Sequence, residues 1–371
     1  MINLVKNKNS FTLVEILVVL GILAIISTTG FVELSQFKGK QNFDLDAQSI
    51  VEAIGSAQNK AIQQEGGTAW GIRFDNSTSS YSYQVFQGSS YSAAAVVSSE
   101  TLSSATAYSN PPPGFYIDVV FAARTGLPTS GSATSIVIKR TGGSGLYTIM
   151  VNSGGRISKN LETGLVGYWP LNEGSGGTAY DASGNNNTGT VTIGASGTQT
   201  TVAQAWANAT PSRVGVGLNF DGTDDFVQAP LATTQTDNWT IMAWANSNTT
   251  SGAGGVVQIG GPGCGGYSIT RSGSNWYPLY SCVSWNPIIA PVVTGAWIYI
   301  AVVRENGVMR AYANGVQTVS GVVTVPSNPS GYFTTIGKTE SSYFFGGKID
   351  DVRIYNRALS ATEVQNLYNS Y

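Results

Sequence analysis

The 371-residue sequence contains no histidine. That absence removes His-dependent zinc sites, Ser-His-Asp and Cys-His nucleophile systems and the commonest general base, and with them most hydrolase chemistry. Charge is also scarce: 11% of residues are Asp, Glu, Lys or Arg, and the net charge is −2. No basic field attracts nucleic acid, and no lysine run is interleaved with aromatics, so no specific nucleic-acid partner is expected. Cysteine is limited to Cys264 and Cys282, which flank a Gly-rich turn and a Tyr/Trp-rich stretch. In an oxidising compartment they would close one disulfide across a hairpin; the other reading is two buried thiols. Glycoside chemistry needs two carboxylates on a strand facing a cleft, and no E-x-D-x-E-like cluster occurs. No enzyme activity is expected.

What the sequence does have is one long apolar run, S-F-T-L-V-E-I-L-V-V-L-G-I-L-A-I-I from Ser10 to Ile26, continuing to Val32. Its length of about 20 residues gives about 30 Å of helix, enough to cross a bilayer core. Lys6 and Lys8 precede the run and only Glu33 follows soon after, which puts the N-terminus on the cytoplasmic side and exports the rest. Inside the run sits one acid, Glu15. A carboxylate at membrane depth costs roughly 2.5–3.5 kcal/mol, so it needs a partner. A cleaved secretory signal would have a charge-free segment followed by a small-x-small site, and neither is present.

These residues resemble the N-terminus of type IV pilins and type II secretion pseudopilins. The resemblance implies a short leader (1–10) removed by prepilin peptidase between Ser10 and Phe11, with Thr12 second and Glu15 fifth in the mature chain. Ser10 departs from the glycine usual at that junction. The resemblance further implies N-methylation of Phe11, residence in the bacterial inner membrane before assembly, and then an extracellular or periplasmic filament. Its partners would be other pilin subunits, with Glu15 of one neutralising the terminal amine of a neighbour. Pairing is what a buried carboxylate requires. The alternative is a simple anchor whose Glu15 snorkels or stays protonated.

Three regions follow from the pattern. Residues 11–64 read as one helix, its first part (11–32) in the membrane and its second amphipathic, with Phe43, Ile50, Val51, Ile54 and Ala57 among the apolar positions. Gly39 is a weak point, and Glu65-Gly66-Gly67 a stop. Residues 65–158 then alternate in short strands: Ala69–Asp75, Tyr81–Phe86, Ile117–Phe121, Ser135–Ile138 and Tyr147–Val151, making a small antiparallel sheet. W-G-I-R-F, the Phe121 to Gly126 stretch and V-N-S-G-G-R-I resemble the head domain of minor pseudopilins. Arg73, Arg124 and Arg156 there read as structural pairs or solvated charges, with an anion site as the other reading.

Residues 159–163 read as a polar linker, and 164–371 as a second module. Many short strands with turn signals every 8–12 residues or so imply a β-sandwich. The stretches G-L-V-G-Y-W-P-L-N-E-G, L-N-F-D-G-T-D-D-F-V, W-T-I-M-A-W, W-I-Y-I-A-V-V and G-K-I-D-D-V-R-I-Y-N-R-A-L-S resemble the laminin-G-like family of concanavalin A-type jelly rolls. The fold class is therefore α+β followed by all-β. Ser360 and Glu363 fit a capping box, with Leu359 and Val364 as a staple, starting a C-terminal helix that ends near Tyr368.

By the two-residue period Asp350 shares a face with Val352 and Ile354, and a buried carboxylate needs a partner. The Asp181–Gly189 turn offers oxygens for a hard cation. The family resemblance likewise implies a structural calcium, with Asp181, Asn187 and Asp350 as its ligands; the other reading is hydrogen-bonded caps. Asp221-Gly222-Thr223-Asp224-Asp225 lacks the EF-hand spacing and reads as a turn. Tyr267, Trp276, Tyr277, Tyr280 and Trp285 crowd the cysteine pair, either as a surface that stacks on sugars or as core. Together the resemblances imply a minor pilin displaying a lectin-like head for a carbohydrate or surface-protein ligand. The alternatives are a pseudopilin contacting cargo and a non-assembling membrane-anchored lectin or structural protein.

Overall fold

The computed structural model describes residues 13–77, 80–143, 145–230, 238–260, 267–280, 287–323, 333–339 and 343–371; the side chains of 13, 15, 16, 19, 21–32 and 280 are outside that description. Ser10, Phe11, Cys264, Cys282 and Trp285 therefore lie outside the described residues, and of Glu15 and Tyr280 only the backbone lies within them.

Helix α1 (Leu13–Ile62) is a single 50-residue helix. At a rise of 1.5 Å per residue it is about 75 Å long. Gly39 does not interrupt it. Phe43, Ala47, Ile50, Ile54, Ala57 and Ala61 recur at steps of four and three, and each is 1% exposed or less, so they form the stripe that packs on the head. The helix stops where Gln64, Gly66 and Gly67 turn to positive φ.

The head contains two four-stranded antiparallel sheets where the sequence suggested one. The first runs β3-β2-β1-β5, and the second β4-β6-β7-β8. Their ranges are β1 (Trp70–Asp75), β2 (Ser82–Gln87), β3 (Val96–Thr101), β4 (Thr106–Asn110), β5 (Tyr116–Phe121), β6 (Thr134–Arg140), β7 (Leu146–Val151) and β8 (Ile157–Leu161). In β1, Trp70, Ile72 and Phe74 point to the helix at the two-residue period. Gly71 between them has no side chain because the ring of Phe86 fills that space.

In the second sheet both faces are buried. Ile136, Ile138, Ile149 and Val151 join the helix core, while Val137, Leu146 and Met150 join a different cluster with Tyr168, Tyr355 and Leu359 of the jelly roll. The head is thus clamped between the helix and the C-terminal module. Residues 159–161, expected as linker, are the end of β8 and pair with β7. Only 162–164 separate β8 from β9 (Leu165–Trp169), which belongs to the jelly roll.

The jelly roll packs an eight-stranded sheet against a seven-stranded one. Strand Trp239–Ser247 of the seven-stranded sheet shows the logic: Ile241, Ala243 and Ala245 enter the core between the sheets, while Met242 and Trp244 face outward. That outer face is covered by the head and by helix α3 (Ala361–Asn369). Ser360 and Glu363 form the expected reciprocal cap, and Leu359 and Val364 are both buried in the shared cluster. A short helix, α2 (Val202–Asn208), is capped in the same way by Thr201 and Gln204.

Candidate functional site

The first functional feature is the unsupported half of α1. Val14 is 66% exposed, Leu17 60%, Leu34 51% and Phe37 65%, on the part of the helix that precedes its packed stripe. Apolar side chains in a row with nothing over them mark a surface meant for lipid or protein. Among the described residues no helix is long and apolar enough to cross a membrane. Most side chains of the expected span, 11–32, are outside the description.

The proposed calcium residues are placed in two separate settings. Both oxygens of Asp181 are occupied by protein donors: Oδ1 accepts from the amides of Tyr168 (2.9 Å) and Ser183 (2.8 Å), and Oδ2 from Ser183 Oγ (2.8 Å) and the Asn187 amide (2.9 Å). Asn187 donates its side-chain amide to Val166 O at 2.7 Å, and its carbonyl receives Trp169 Nε1 at 3.0 Å. Asp350 instead accepts from the amides of Arg213 (3.0 Å) and Val214 (2.6 Å), leaving Oδ1 buried without a partner. Burial holds its carboxyl well above the usual range, against the pull of those amides. Asp181 and Asn187 are joined by a hydrogen bond, whereas no hydrogen bond among the described residues links either of them to Asp350.

Asp350 also does not share a face with Val352 and Ile354. Val352 and Ile354 enter the core between the sheets, with Ile349. Asp351 adopts φ 48°, and the pairing with strand 239–247 shifts register between Met242 and Trp244. This bulge breaks the alternation and sends the acids at 350 and 351 toward the outer side.

A tight acidic group occurs at Asp221, Asp224 and Asp225, with one ligand atom from each within 4.8 Å of the others. It is a bend between strands Leu218–Asp221 and Phe226–Pro230, as read from the sequence. Backbone amides of 194, 196, 198 and 199 donate to it, so the carboxylates fasten a neighbouring loop.

Of the aromatics around the cysteines, the structure turns Tyr267 and Trp276 inward. Trp276 is 1% exposed and faces Phe345, and Tyr267 packs on Trp239 with ring centroids 4.3 Å apart. Tyr277, one residue on, faces the other way and is half-buried. Of the head arginines, Arg73 is bidentate to Asp118 (2.7 and 2.6 Å) between the rings of Tyr91 and Tyr116, Arg124 donates to Gln64, and Arg156 is exposed.

The sequence reading missed an ionic core between head and jelly roll. Arg353 donates to Glu162 (3.0 Å) and Asp351 (2.7 Å), and lies over the ring of Tyr168 at 4.3 Å. Tyr355 donates to the other oxygen of Glu162 at 2.8 Å, and Tyr168 to Ser135 of β6 at 3.3 Å. Burial works against the charge on Arg353, but Asp351 and the surrounding tyrosines keep its pKa above the ordinary value. A backbone bond from Gly215 to Ala133 O, 2.8 Å, ties the same two units.

Residues 221–365 match the family described as the concanavalin A-like lectin/glucanases superfamily. The C-terminal module is a concanavalin A-like domain. At the other end, residues 5–31 match the prokaryotic N-terminal methylation motif, which marks a pilin-type start processed at the membrane. No curated protein matches the sequence. Among solved structures, the chain is similar to domain 4 of AbnA, a GH43 extracellular arabinanase of Geobacillus stearothermophilus in complex with arabinotriose. That match has 20% identity and a TM-score of 0.44, over 55% of this chain and 98% of that one. It is similar to the receptor binding domain of botulinum neurotoxin D at 13% identity and TM-score 0.42, over 56% of this chain and 52% of that one. A Trypanosoma rangeli sialidase in complex with sialic acid matches at 12% identity and TM-score 0.42, over 80% of this chain and 60% of that one. The chain thus spans about half to three fifths of the latter two and nearly all of the arabinanase domain.

Proposed function

We propose that this chain is a minor pilin or pilin-like subunit that carries its concanavalin A-like domain on a filament as a binding head for glycans or glycosylated surface proteins, and that it is not an enzyme. The observation that supports this most is the division of α1. Its second half packs one apolar stripe, from Phe43 to Ala61, on the head, whereas its first half leaves Val14, Leu17, Leu34 and Phe37 exposed among the described residues. Such a surface needs lipid before assembly and neighbouring helices after it, which is what the methylation motif at 5–31 serves.

The jelly roll fits a display role by its placement. One sheet is committed to the head and α3, which leaves the outer face of the other to a ligand. The absence of histidine and of paired catalytic carboxylates favours binding over hydrolysis.

The deciding experiment is Glu15→Ala, scored as incorporation into sheared filaments by immunoblot. Loss of incorporation with normal membrane levels is expected. Incorporation at the wild-type level would sink the filament reading. Glycan-array binding by purified filaments then tests the head; a head that retains no glycan would sink the lectin reading.

A further inference from the structure

Where α1 leaves the head there is a groove of about 460 Å³, lined by Leu34, Lys38 and Gly39 of the helix and by Ser104, Arg140 and Thr141 of the head. Arg140 fixes its depth. Nη2 donates to the main-chain carbonyl and to Oε1 of Gln36, the latter at 2.7 Å, and Gln36 Nε2 donates to Gly142 O at 3.2 Å, so the β6–β7 turn is clasped to the helix. Those acceptors are neutral. Among the described residues no carboxylate pairs with Arg140 or with Lys38. The nearby acids are engaged elsewhere: Asp46 accepts from the hydroxyls of Ser103 and Thr106, and Asp44 from Tyr147 at 3.0 Å. Glu33 is exposed, and at about 100° per residue it is turned about 140° from Lys38. The groove therefore carries two cations and no acid.

Its position along α1 decides what reaches it. Gln36 lies four residues and Lys38 six residues past Val32, where the expected span ends, which at a rise of 1.5 Å per residue is about 6 and 9 Å beyond the hydrocarbon core. The headgroup layer on each side of a bilayer is about 5–7 Å deep. Helical side chains lean toward the N-terminus, here toward the membrane, and a lysine stem carries its charge further the same way. Both cations thus stand at headgroup depth. The order along the helix is also that of a phospholipid: Leu34, 51% exposed, comes on the bilayer side, and the cations with the hydroxyls of Ser104 and Thr141 follow. A lone ion needs far less than about 460 Å³, a volume that falls in the range for a small organic group.

We infer that this groove seats the headgroup of an anionic phospholipid, its phosphate between Lys38 and Arg140 and its glycerol against Leu34, so that the unassembled subunit holds its head down on the membrane. The inference rests on the reading of 11–32 as the membrane span and adds a lipid partner at its outer end. A zwitterionic lipid brings an ammonium group of its own, and two cations with no acid between them select against it.

The test uses the full chain in detergent micelles with dioleoyl-phosphatidylglycerol and dioleoyl-phosphatidylcholine added in equal amounts. Native mass spectrometry counts the lipid retained. Phosphatidylglycerol is expected to be kept about 25-fold over phosphatidylcholine, about fivefold for each cation beside the phosphate. Lys38→Gln should cut that preference about fivefold, and Lys38→Gln combined with Arg140→Gln should abolish it. Lys40→Gln, about 200° round the helix from Lys38 and outside the groove, should leave it unchanged. If the double variant does not fold, the contrast between Lys38→Gln and Lys40→Gln carries the decision. No preference for phosphatidylglycerol, an equal loss in Lys40→Gln, or displacement of the lipid by excess inorganic phosphate would overturn the inference. So would a Lys38→Gln chain that keeps the preference yet drops out of sheared filaments, since the groove would then belong to a neighbouring subunit. Alkaline carbonate extraction of membranes judges the span by itself. A chain released by carbonate would sink the span and this inference with it, whereas a chain that stays and shows no lipid preference would sink the inference and leave the filament reading standing.

Discussion

Glu162, in the three-residue connection that follows the head, and Arg353 of the jelly roll meet at 3.0 Å with both side chains almost completely buried. The residue expected to sit in a solvated linker is instead an ion in the wall between two domains, and removing it leaves Arg353 with Asp351 as its only carboxylate partner among the described residues. Breaking one side of a buried pair costs about 3–5 kcal/mol. Glu162→Ala is therefore expected to lower stability by that order. It should also split a single cooperative unfolding transition into two as the domains lose their common core, which differential scanning calorimetry would reveal.

Glu173 gives a pH signature. It is buried, with Oε1 on the Tyr180 amide and Oε2 without a partner, and burial pushes its carboxyl from 4.5 up to about 7. The folded chain thus holds this proton more tightly than the unfolded chain does. Stability should be unaffected by Glu173 below the unfolded value, fall as pH climbs from about 4.5 to 7, and stay lowered by about 3 kcal/mol above it. Denaturant midpoints measured from pH 4 to 8 should slope more steeply for the native chain than for Glu173→Gln. Equal slopes would show that the group carries no such penalty.

Phe37 separates assembly from folding. It is 65% exposed and outside the packed stripe of α1. Phe37→Glu should leave the melting of the purified chain within about 0.5 kcal/mol of native, as exposed substitutions do. Its recovery in sheared filaments should fall sharply, since a charge would enter a helix contact. Normal recovery would mean that this stretch faces away from neighbouring subunits.

Trp276 tests the opposite case. At 1% exposure, Trp276→Ala opens a cavity in the sandwich core and should cost about 3–5 kcal/mol by chemical denaturation. Any loss of ligand binding in that variant should track the loss of folded protein.

Much of this architecture is legible in the sequence wherever one face of an element is buried and the other is not. The steps of four and three through Phe43 to Ala61, the alternation in Trp70–Asp75, and the capping box at Ser360 and Glu363 all follow from local rules and reappear unchanged. Thr201-x-x-Gln204 obeys the same capping rule at α2, a signal present in the sequence and not used above. What misled was contact between distant segments. The runs Ile136-Val137-Ile138 and Ile149-Met150-Val151 are continuously apolar because each strand is covered on both sides; that pattern was the available sign that the head has a second neighbour. The face of Asp350 was misjudged because period-two counting assumes no bulge, and the one at Asp351 requires a positive φ that no local residue pattern announces. Aromatic crowding could not separate Trp276 from Tyr277, since adjacent residues of a strand take opposite sides.

A further consequence belongs to mechanics. The head is held on one side by a helix of about 75 Å and on the other by the jelly roll, with three residues between β8 and β9 and an ionic core around them. Tension applied to the jelly roll would cross to the helix through packed strands and the Glu162–Arg353 contact. No slack tether lies in that route. A load on the jelly roll would therefore reach the helix with little lost to extension of the three-residue connection.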